Sequence, residues 1–342
     1  VPADQPDEDP PTLATLARRL GVHVSTVSRA LSNDPGVRGT VSPATVARIR
    51  AVATEIGYVP NRFGASLRTG RSRALGVLVP HTSEFVVGAI YEGLDTAAAE
   101  LGYATFVANT FDDPRVRSVR MAHLRQWGVE AILYADARLG EDELPTVGRI
   151  PCVPIVRYGA ARHRLHADDR EGGRQVARHL LERGYRDAAV ITGPRYASTS
   201  HERAVGFLEE YRSLGGHVDP GLVVDSTFEV SGGRRATMTI LERGLPSAIV
   251  TGHDLLALGV YGVAREHDID IGSQLGIVGY NDLELSAQLP VPLTSVRWDF
   301  HALGRAIAIE TIASLEGRQV QIDIPTPHLV ARASTCGWSG SS

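Results

Sequence analysis

The stretch LGVHVSTVSRAL, Leu20 to Leu31, is a small polar helix held between apolar anchors. Leu20, Val22, Val24, Val27 and Leu31 are apolar, whereas Ser25, Thr26, Ser28 and Arg29 are short or cationic and all form hydrogen bonds. Gly21 accepts left-handed backbone angles without strain and so ends the helix before it. That helix is LATLARRL, with Thr12 as its cap and Leu13, Leu16, Ala17 and Leu20 on one stripe. In the second helix, Val24, Val27 and Leu31 fall on the buried side. A third helix is predicted in TVSPATVARIRAVATEIGY. Ser42 caps it, Pro43 fills its first turn, and Val46, Ile49, Val52, Ala53 and Ile56 face inward. Two short helices across a glycine turn make a helix-turn-helix, and the three helices together bury one small core.

A helix that enters the DNA major groove, about 12 Å wide, needs a slim outer face and groups that reach base edges. Val24 and Ser25 sit at the leading end of the second helix, where bases are first met. Arg29 lies about one turn further on and can donate two hydrogen bonds to guanine. His23, Thr26 and Ser28 suit phosphate oxygens. Charge agrees with this reading. From Pro11 to Arg73 there are ten arginines against Asp34 and Glu55, a local net of +8 in a chain whose total is −4. A basic module on an acidic body suits a polyanion.

The chain has 342 residues and 43% hydrophobic content, room for two or three domains with large cores. It contains no lysine, and all 35 basic residues are arginine. Schiff-base catalysis and a Walker-type phosphate loop, which both need lysine, are excluded. Cationic contacts must come from Arg, His or the backbone, and Arg binds phosphate and guanine bidentately. Cys152 and Cys336, the only cysteines, make no disulfide framework. No apolar run reaches the roughly 20 residues of a bilayer span. The acidic, Pro-rich start, VPADQPDEDPP, lacks the features of a secretory signal and reads as a disordered arm (1–11) of a cytoplasmic protein.

The run TLATLARRLGVHVSTVSRALSN…GYVPN…ASLRTGRSRALGVLVP resembles the lactose-repressor (LacI/GalR) family of bacterial transcription regulators. The likeness continues through HLLERGYRDAAVITGP, HERAVGFLEEY, LALGV, GIVGYND and PLTSVRWD, and so covers nearly the whole chain. It implies a DNA-binding domain over 12–60 and a hinge over 61–73 that folds when two subunits meet on DNA. Asn61, Ser66, Leu67 and Arg68 are then DNA contacts, with Leu67 either the wedge that kinks the operator centre or a linker residue packed on the body. A wedge of this kind unstacks a base step for about a few kcal/mol. One departure is SNDPGVRGTVSPAT, a longer loop than usual, in which Asp34-Pro35-Gly36 reads as a turn and Arg38 either reaches a phosphate or does not.

From Leu75 onward β-rich runs alternate with amphipathic helices: LGVLVP, ATFVAN, VEAILYAD, PCVPIVRY, AAVITG, LVVDSTF, SAIVTG and LGIVGYND are the runs. Helices are predicted over Val87–Leu101, Gly173–Arg183, Ala204–Leu214, Leu255–His267 and His301–Leu315. The pattern gives parallel sheets covered on both faces, and it restarts near His166. The fold class is thus an all-α helix-turn-helix head plus an α/β body of two doubly wound parallel-sheet lobes, and the resemblance makes these lobes periplasmic-binding-protein-like. It implies an effector-binding and dimerisation domain over 74–335, with lobe one at 74–165 and 294–323, lobe two at 166–293 and 324–335, and a tail at 336–342.

Such lobes bind ligands at the carboxyl ends of their strands, in the cleft between them. The candidates there are His81, Ser83 and Phe85, then Asp136, Arg157 and Tyr158, then Asp168 and Asp169. Arg203, in HERAVGF, matches the family arginine that holds effector hydroxyls or carboxylates; Thr199 and Phe207, four residues away, offer it no acid. Phe228 is either the aromatic wall of the site or a core residue. His253 stands where the family has Asn. Asp254 and Asn281 either fix sugar hydroxyls or cap the helices that follow them.

A catalytic set is lacking. There is no GxSxG elbow, no HExxH and no GxGxxG after the first body strand. In HRLHADD, a strand would put His163 and His166 on opposite faces, against a metal site. The sequence therefore predicts a repressor without cofactor, acting as a homodimer on pseudo-palindromic operator DNA. A small polar effector, a sugar or sugar derivative, would control it. The alternatives are a solute-binding protein and a sugar-modifying enzyme with an unrelated head.

Overall fold

The computed structural model describes residues 11–32, 35–58, 71–141, 143, 145–159 and 165–337. The chain forms two compact units, residues 1–72 and 73–342.

In the first unit, α1 (Leu13–Leu20) begins at Thr12, whose hydroxyl accepts from the Thr15 amide, and ends at Gly21, in the left-handed region at φ 64°. Helix α2 (Val24–Ala30) follows after three residues, and α4 (Pro43–Glu55) is capped by Ser42, which accepts from the Thr45 amide. The core is Leu16, Ala17, Val27, Ala30, Ile49 and Ala53, bordered by Leu13, Leu20, Val46, Val52 and Ile56. The longer loop holds a helical turn, α3 (Pro35–Arg38), where the sequence suggested a simple turn. Arg38 there donates to the Ser32 carbonyl at 3.4 Å.

In the second unit, β1 (Ala74–Val79), β2 (Ala104–Asn109), β3 (Ala131–Tyr134) and β4 (Cys152–Pro154) form a parallel sheet in the order β2-β1-β3-β4. A second sheet holds β5 (Ala188–Ile191), β6 (Val223–Val224), β7 (Ala248–Thr251), β8 (Gly276–Tyr280), β9 (Thr294–Arg297) and β10 (His328–Val330), in the order β10-β9-β8-β7-β5-β6. It is parallel except for β10, which runs antiparallel to β9 at the edge. Strand β9 pairs with β8, Val278 opposite Thr294 and Tyr280 opposite Val296. The chain therefore leaves the second lobe after Arg297, later than the expected boundary at 293/294. The apolar run PLTSV serves either lobe, so only strand pairing places it.

The helices of this unit are α5 (Phe85–Glu100), α6 (Pro114–Gln126), α7 (Asp169–Glu182), α8 (Ser198–Ser213), α9 (Val230–Leu241), α10 (Asp254–Glu266) and α11 (Phe300–Leu315). Three pairs cross at reciprocal glycines. A Cβ on Gly93 of α5 would lie 2.1 Å from the His301 carbonyl oxygen of α11, and one on Gly304 of α11 would lie 2.0 Å from that of Ile90. Gly173 and Gly206 join α7 to α8 in the same way, and Gly233 and Gly259 join α9 to α10. The crossing with α5 returns α11 to the first lobe. Helices α7 and α8 start at Asp169 and Ser198, not at Gly173 and Ala204. Their polar first turns carry no apolar stripe because they face the cleft.

Candidate functional site

The first candidate surface is the outer side of α2. Val24 is 40% exposed, and Ser25 and Arg29 are also exposed, while Thr26 and Ser28 are half-buried and Val27 is sealed in the core. Val24, expected on the buried side, lies outside because it opens the helix and no preceding turn covers it. His23 is the cap of α2: its Nδ1 accepts from the Ser25 amide at 3.2 Å and lies 2.8 Å from the Ser25 hydroxyl. Arg29 Nε donates to the Ser25 carbonyl at 3.2 Å, which aligns the guanidinium along its own helix. Asn61, Ser66, Leu67 and Arg68 lie outside the described residues.

The second surface is the cleft between the lobes. In doubly wound sheets the crevice beyond the strand ends takes the ligand. Arg203, on α8, is 7% exposed. Its Nε donates to Asp169 Oδ1 at 2.7 Å and its Nη1 to the Gly252 carbonyl at 2.8 Å, and the guanidinium lies 3.9 Å over the Tyr280 ring. The acid missing from its own helix thus comes from α7. Burial raises the Asp169 pKa, and the charge of Arg203 works against that. Asp168 is exposed and caps α7, accepting from the Glu171 amide at 3.0 Å. Asp169 is thus the carboxylate that meets Arg203, whereas Asp168 turns back onto its own helix as its cap. Behind Arg203, a cavity of about 10 Å³, room for one water, is lined by Thr192, Ser200, Gly252 and Tyr280 among others.

Arg157, after β4, is also buried, and its Nη1 donates to Asp112 Oδ1 at 2.7 Å. Asp112 follows β2 in a left-handed turn, at φ 54° beside Phe111 at 57°. It accepts from the Tyr196 hydroxyl at 3.2 Å, and Arg138 lies 3.7 Å over the Tyr196 ring. Tyr196 follows β5, so these contacts tie the two lobes together, as does the Leu139 amide donating to the Tyr196 carbonyl at 2.8 Å.

His253 caps α10 by accepting the Leu255 amide on Nδ1 at 3.1 Å. The proton of the neutral ring is therefore assigned to Nε2, which is buried without a hydrogen-bond partner. Burial, then the charge of Arg203, push the pKa of His253 down to about 3, so the ring is neutral near pH 7. Phe228 is half-buried, with its ring 5.7 Å from that of His253 and 5.7 Å from the Arg157 guanidinium. It packs against Gly193, where a Cβ would come within 2.2 Å of Phe228 and 2.3 Å of the Ser200 hydroxyl.

The remaining expected residues separate. Asp254 is fully buried, and its carboxylate accepts from the Leu283 amide at 2.7 Å, the Ser286 hydroxyl at 2.8 Å and the Ser295 hydroxyl at 2.6 Å. It does not cap the helix that it opens, whose cap is His253. It anchors the turn after β8, and burial pushes its pKa up to about 6 despite those bonds. Asn281 is buried at φ 96°, and its Oδ1 accepts from the Trp298 indole at 3.4 Å. Asp136 is buried with Arg117 Nη1 3.6 Å from its Oδ1, and neither oxygen has a hydrogen-bond partner. Burial raises its pKa. His81 and Ser83 are exposed, His81 edge-on to Phe111 at 5.4 Å, and Phe85 is 59% exposed.

Sequence reasoning missed Glu84, Asp112, Tyr196, Ser200 and Tyr280. Each follows a strand end or opens a helix, the one signal that could have found them. Glu84 is half-buried at the start of α5, forms no cap bond, and lies in the field of Arg157 and Arg203. Burial raises its pKa. Among the described residues no helix is long and apolar enough to cross a membrane.

Residues 12–61 match the family described as bacterial regulatory proteins, lacI family, and residues 177–335 match the periplasmic binding protein-like domain. The ribose operon repressor of Escherichia coli K12 is 26% identical over 335 residues, 94% of this chain and 99% of its own. The HTH-type transcriptional regulator DegA of Bacillus subtilis is 27% identical over 95% of this chain and 98% of its own. The lac repressor dimer bound to operator and the anti-inducer ONPF has the same fold, with a TM-score of 0.83 at 22% identity, over 96% of this chain and 99% of that one. The CelR–cellobiose complex gives 0.71 at 26% identity, over 95% and 100%. Both ends of the chain point the same way: it joins a DNA-binding domain of the lacI family of bacterial regulatory proteins to a periplasmic binding protein-like domain.

Proposed function

We propose that this chain is a ligand-responsive transcriptional repressor, not an enzyme. It acts in the cytoplasm as a homodimer on a pseudo-palindromic operator. The observation that carries the reading is the coexistence, in one chain, of an outward α2 bearing Val24, Ser25 and Arg29 and a cleft where Arg157, Arg203, Phe228 and His253 converge. A solute-binding protein or a sugar-modifying enzyme gives α2 no role. The effector is a hydroxyl-rich small molecule, a sugar or sugar derivative, and the relatives named for ribose and cellobiose support that class. Its binding changes the lobes and, through residues 61–73, the affinity for DNA, with Leu67 as the groove wedge.

Genomic fragments selected on the purified chain test this. A recovered pseudo-palindrome, released by a member of a sugar and nucleoside panel, is the expected result. Effector affinity must then fall on the operator by the factor with which the effector weakens operator binding. Failure to enrich any fragment at low ionic strength refutes the reading.

A further inference from the structure

We infer that the effector carries no negative charge. The cleft selects a neutral or ammonium-bearing hydroxylated molecule, and Glu84 sets that selection. This rests on the effector reading above and narrows it.

Two buried arginines at a strand-end crevice invite an anionic ligand, and the pairing around them removes the invitation. Arg203 is bound to Asp169 at 2.7 Å and Arg157 to Asp112 at 2.7 Å, so each guanidinium meets a carboxylate before any ligand arrives. Glu84 then adds a half-buried carboxyl that no described residue hydrogen-bonds, at the start of α5 just beyond the carboxyl end of β1, on the lobe-one side of the crevice. An anion entering here would meet Glu84 as a like charge and would have to displace Asp112 or Asp169 from its partner.

The opposite wall offers donors. His253 Nε2 is buried and unpartnered, as is the Ser200 hydroxyl beside Phe228. A buried polar group without a partner is costly, so these two atoms mark where a ligand completes the structure. Lobe one thus presents an acceptor at Glu84, and lobe two presents donors at His253 and Ser200. A neutral hydroxyl group serves both, because it donates and accepts. An ammonium group serves Glu84. A carboxylate or phosphate serves only the second wall.

The test uses the full chain and matched ligand sets: D-ribose with ribose 5-phosphate, D-glucose with glucosamine and glucuronate, cellobiose with cellobionate, and adenosine with its monophosphate. Thermal shift finds the ligands and calorimetry gives their affinities. In the wild type, a neutral or amino member should bind at least about tenfold more tightly than its anionic counterpart, as like-charge juxtaposition demands. Glu84→Gln, which keeps an acceptor oxygen without the charge, should narrow that ratio. Glu84→Arg should invert it.

An anionic member that binds the wild type as tightly as its neutral counterpart overturns the inference while leaving the effector reading in place. So does a charge preference that Glu84→Gln leaves unchanged. If no member of any set binds, the sugar-type effector reading falls, and this inference with it.

Discussion

Arg29 and Arg203 are the same side chain used in opposite ways. Arg29 is exposed on α2 and among the described residues its side chain is held by a carbonyl of its own helix, at 3.2 Å. Arg203 is 7% exposed and is held by a carboxylate from another helix and a carbonyl from a strand end. A cation that must meet a phosphate or a guanine has to stay solvated and available until the partner arrives. A cation in a cleft has to be neutralised in advance, because a buried unpaired charge is strongly destabilising. On the proposed function, removing the first should weaken recognition, and removing the second should weaken the fold.

The largest expected effect lies on the buried side. Arg203→Ala strands the Asp169 carboxylate and should lower the stability of the body by about 3–5 kcal/mol in urea unfolding. Arg203→Met combined with Asp169→Leu should recover much of that loss while abolishing effector binding. If the single and double variants are equally unstable, the pair is not what holds α7 and α8 at the cleft.

His253 gives the next effect, and its sign follows from proton binding. The folded ring is neutral down to about pH 3, whereas the unfolded ring titrates near 6.5. The unfolded chain thus binds the extra proton first, and stability falls as pH drops from 6.5 towards 3. The loss is on the order of 4 kcal/mol at the acid end. Asp254 opposes it. With its folded pKa raised to about 6, its contribution is fully present below pH 4 and is lost as pH rises through 6. His253→Gln should remove the first slope and leave the second, so unfolding free energies of that variant should decline between pH 4 and 6. An unchanged acid slope in His253→Gln would place the protonation elsewhere.

On the exposed side the effects are smaller and of a different kind. Arg29→Ala should cost about 1–3 kcal/mol of operator affinity and relax preference at one base position. Stability should stay within about 0.5 kcal/mol of wild type. A stability loss in this variant above the loss in binding would mean Arg29 belongs to the core and not to the reading face. Smallest of all, Asp168→Ala should cost about 1 kcal/mol as a lost helix cap, with effector affinity intact. A drop in effector affinity there would restore Asp168 to the cleft.

The same contrast explains what could be read from the sequence. In the head, each element is specified locally. Thr12 and Ser42 cap their helices, Gly21 turns the chain at φ 64°, and Leu16, Val27 and Ile49 meet in the core as their spacing requires. Val24 was misplaced, since periodicity cannot tell that a helix begins there, and the loop before α4 holds a helical turn in place of the expected turn. The alternation of strands and helices announced two lobes, but the sequence puts β9 in the first lobe, whereas its pairing with β8 places it in the second. In the cleft, function is set by which residues meet across the chain. Arg203 was visible from its motif, but its partner Asp169 lies 34 positions away. The structural bonds of Asp168 and Asp254 were not legible for one reason: a strand-end carboxylate serves its own cap, a neighbouring turn or a ligand with the same sequence signal. Glu84 and Ser200 carried no periodic signal, because polar first turns look like loops.

The most direct measurement of the central claim is the salt dependence of duplex binding by the full chain and by Arg29→Ala, on a fragment recovered from genomic selection. A head that neutralises phosphates releases counterions, so affinity should fall steeply and linearly on logarithmic axes as salt rises. Arg29→Ala should bind more weakly at every salt concentration and lose preference at one position of each half-site. Binding that ignores salt, or that Arg29→Ala leaves unchanged in both strength and sequence preference, would contradict the assignment of α2 as the reading face.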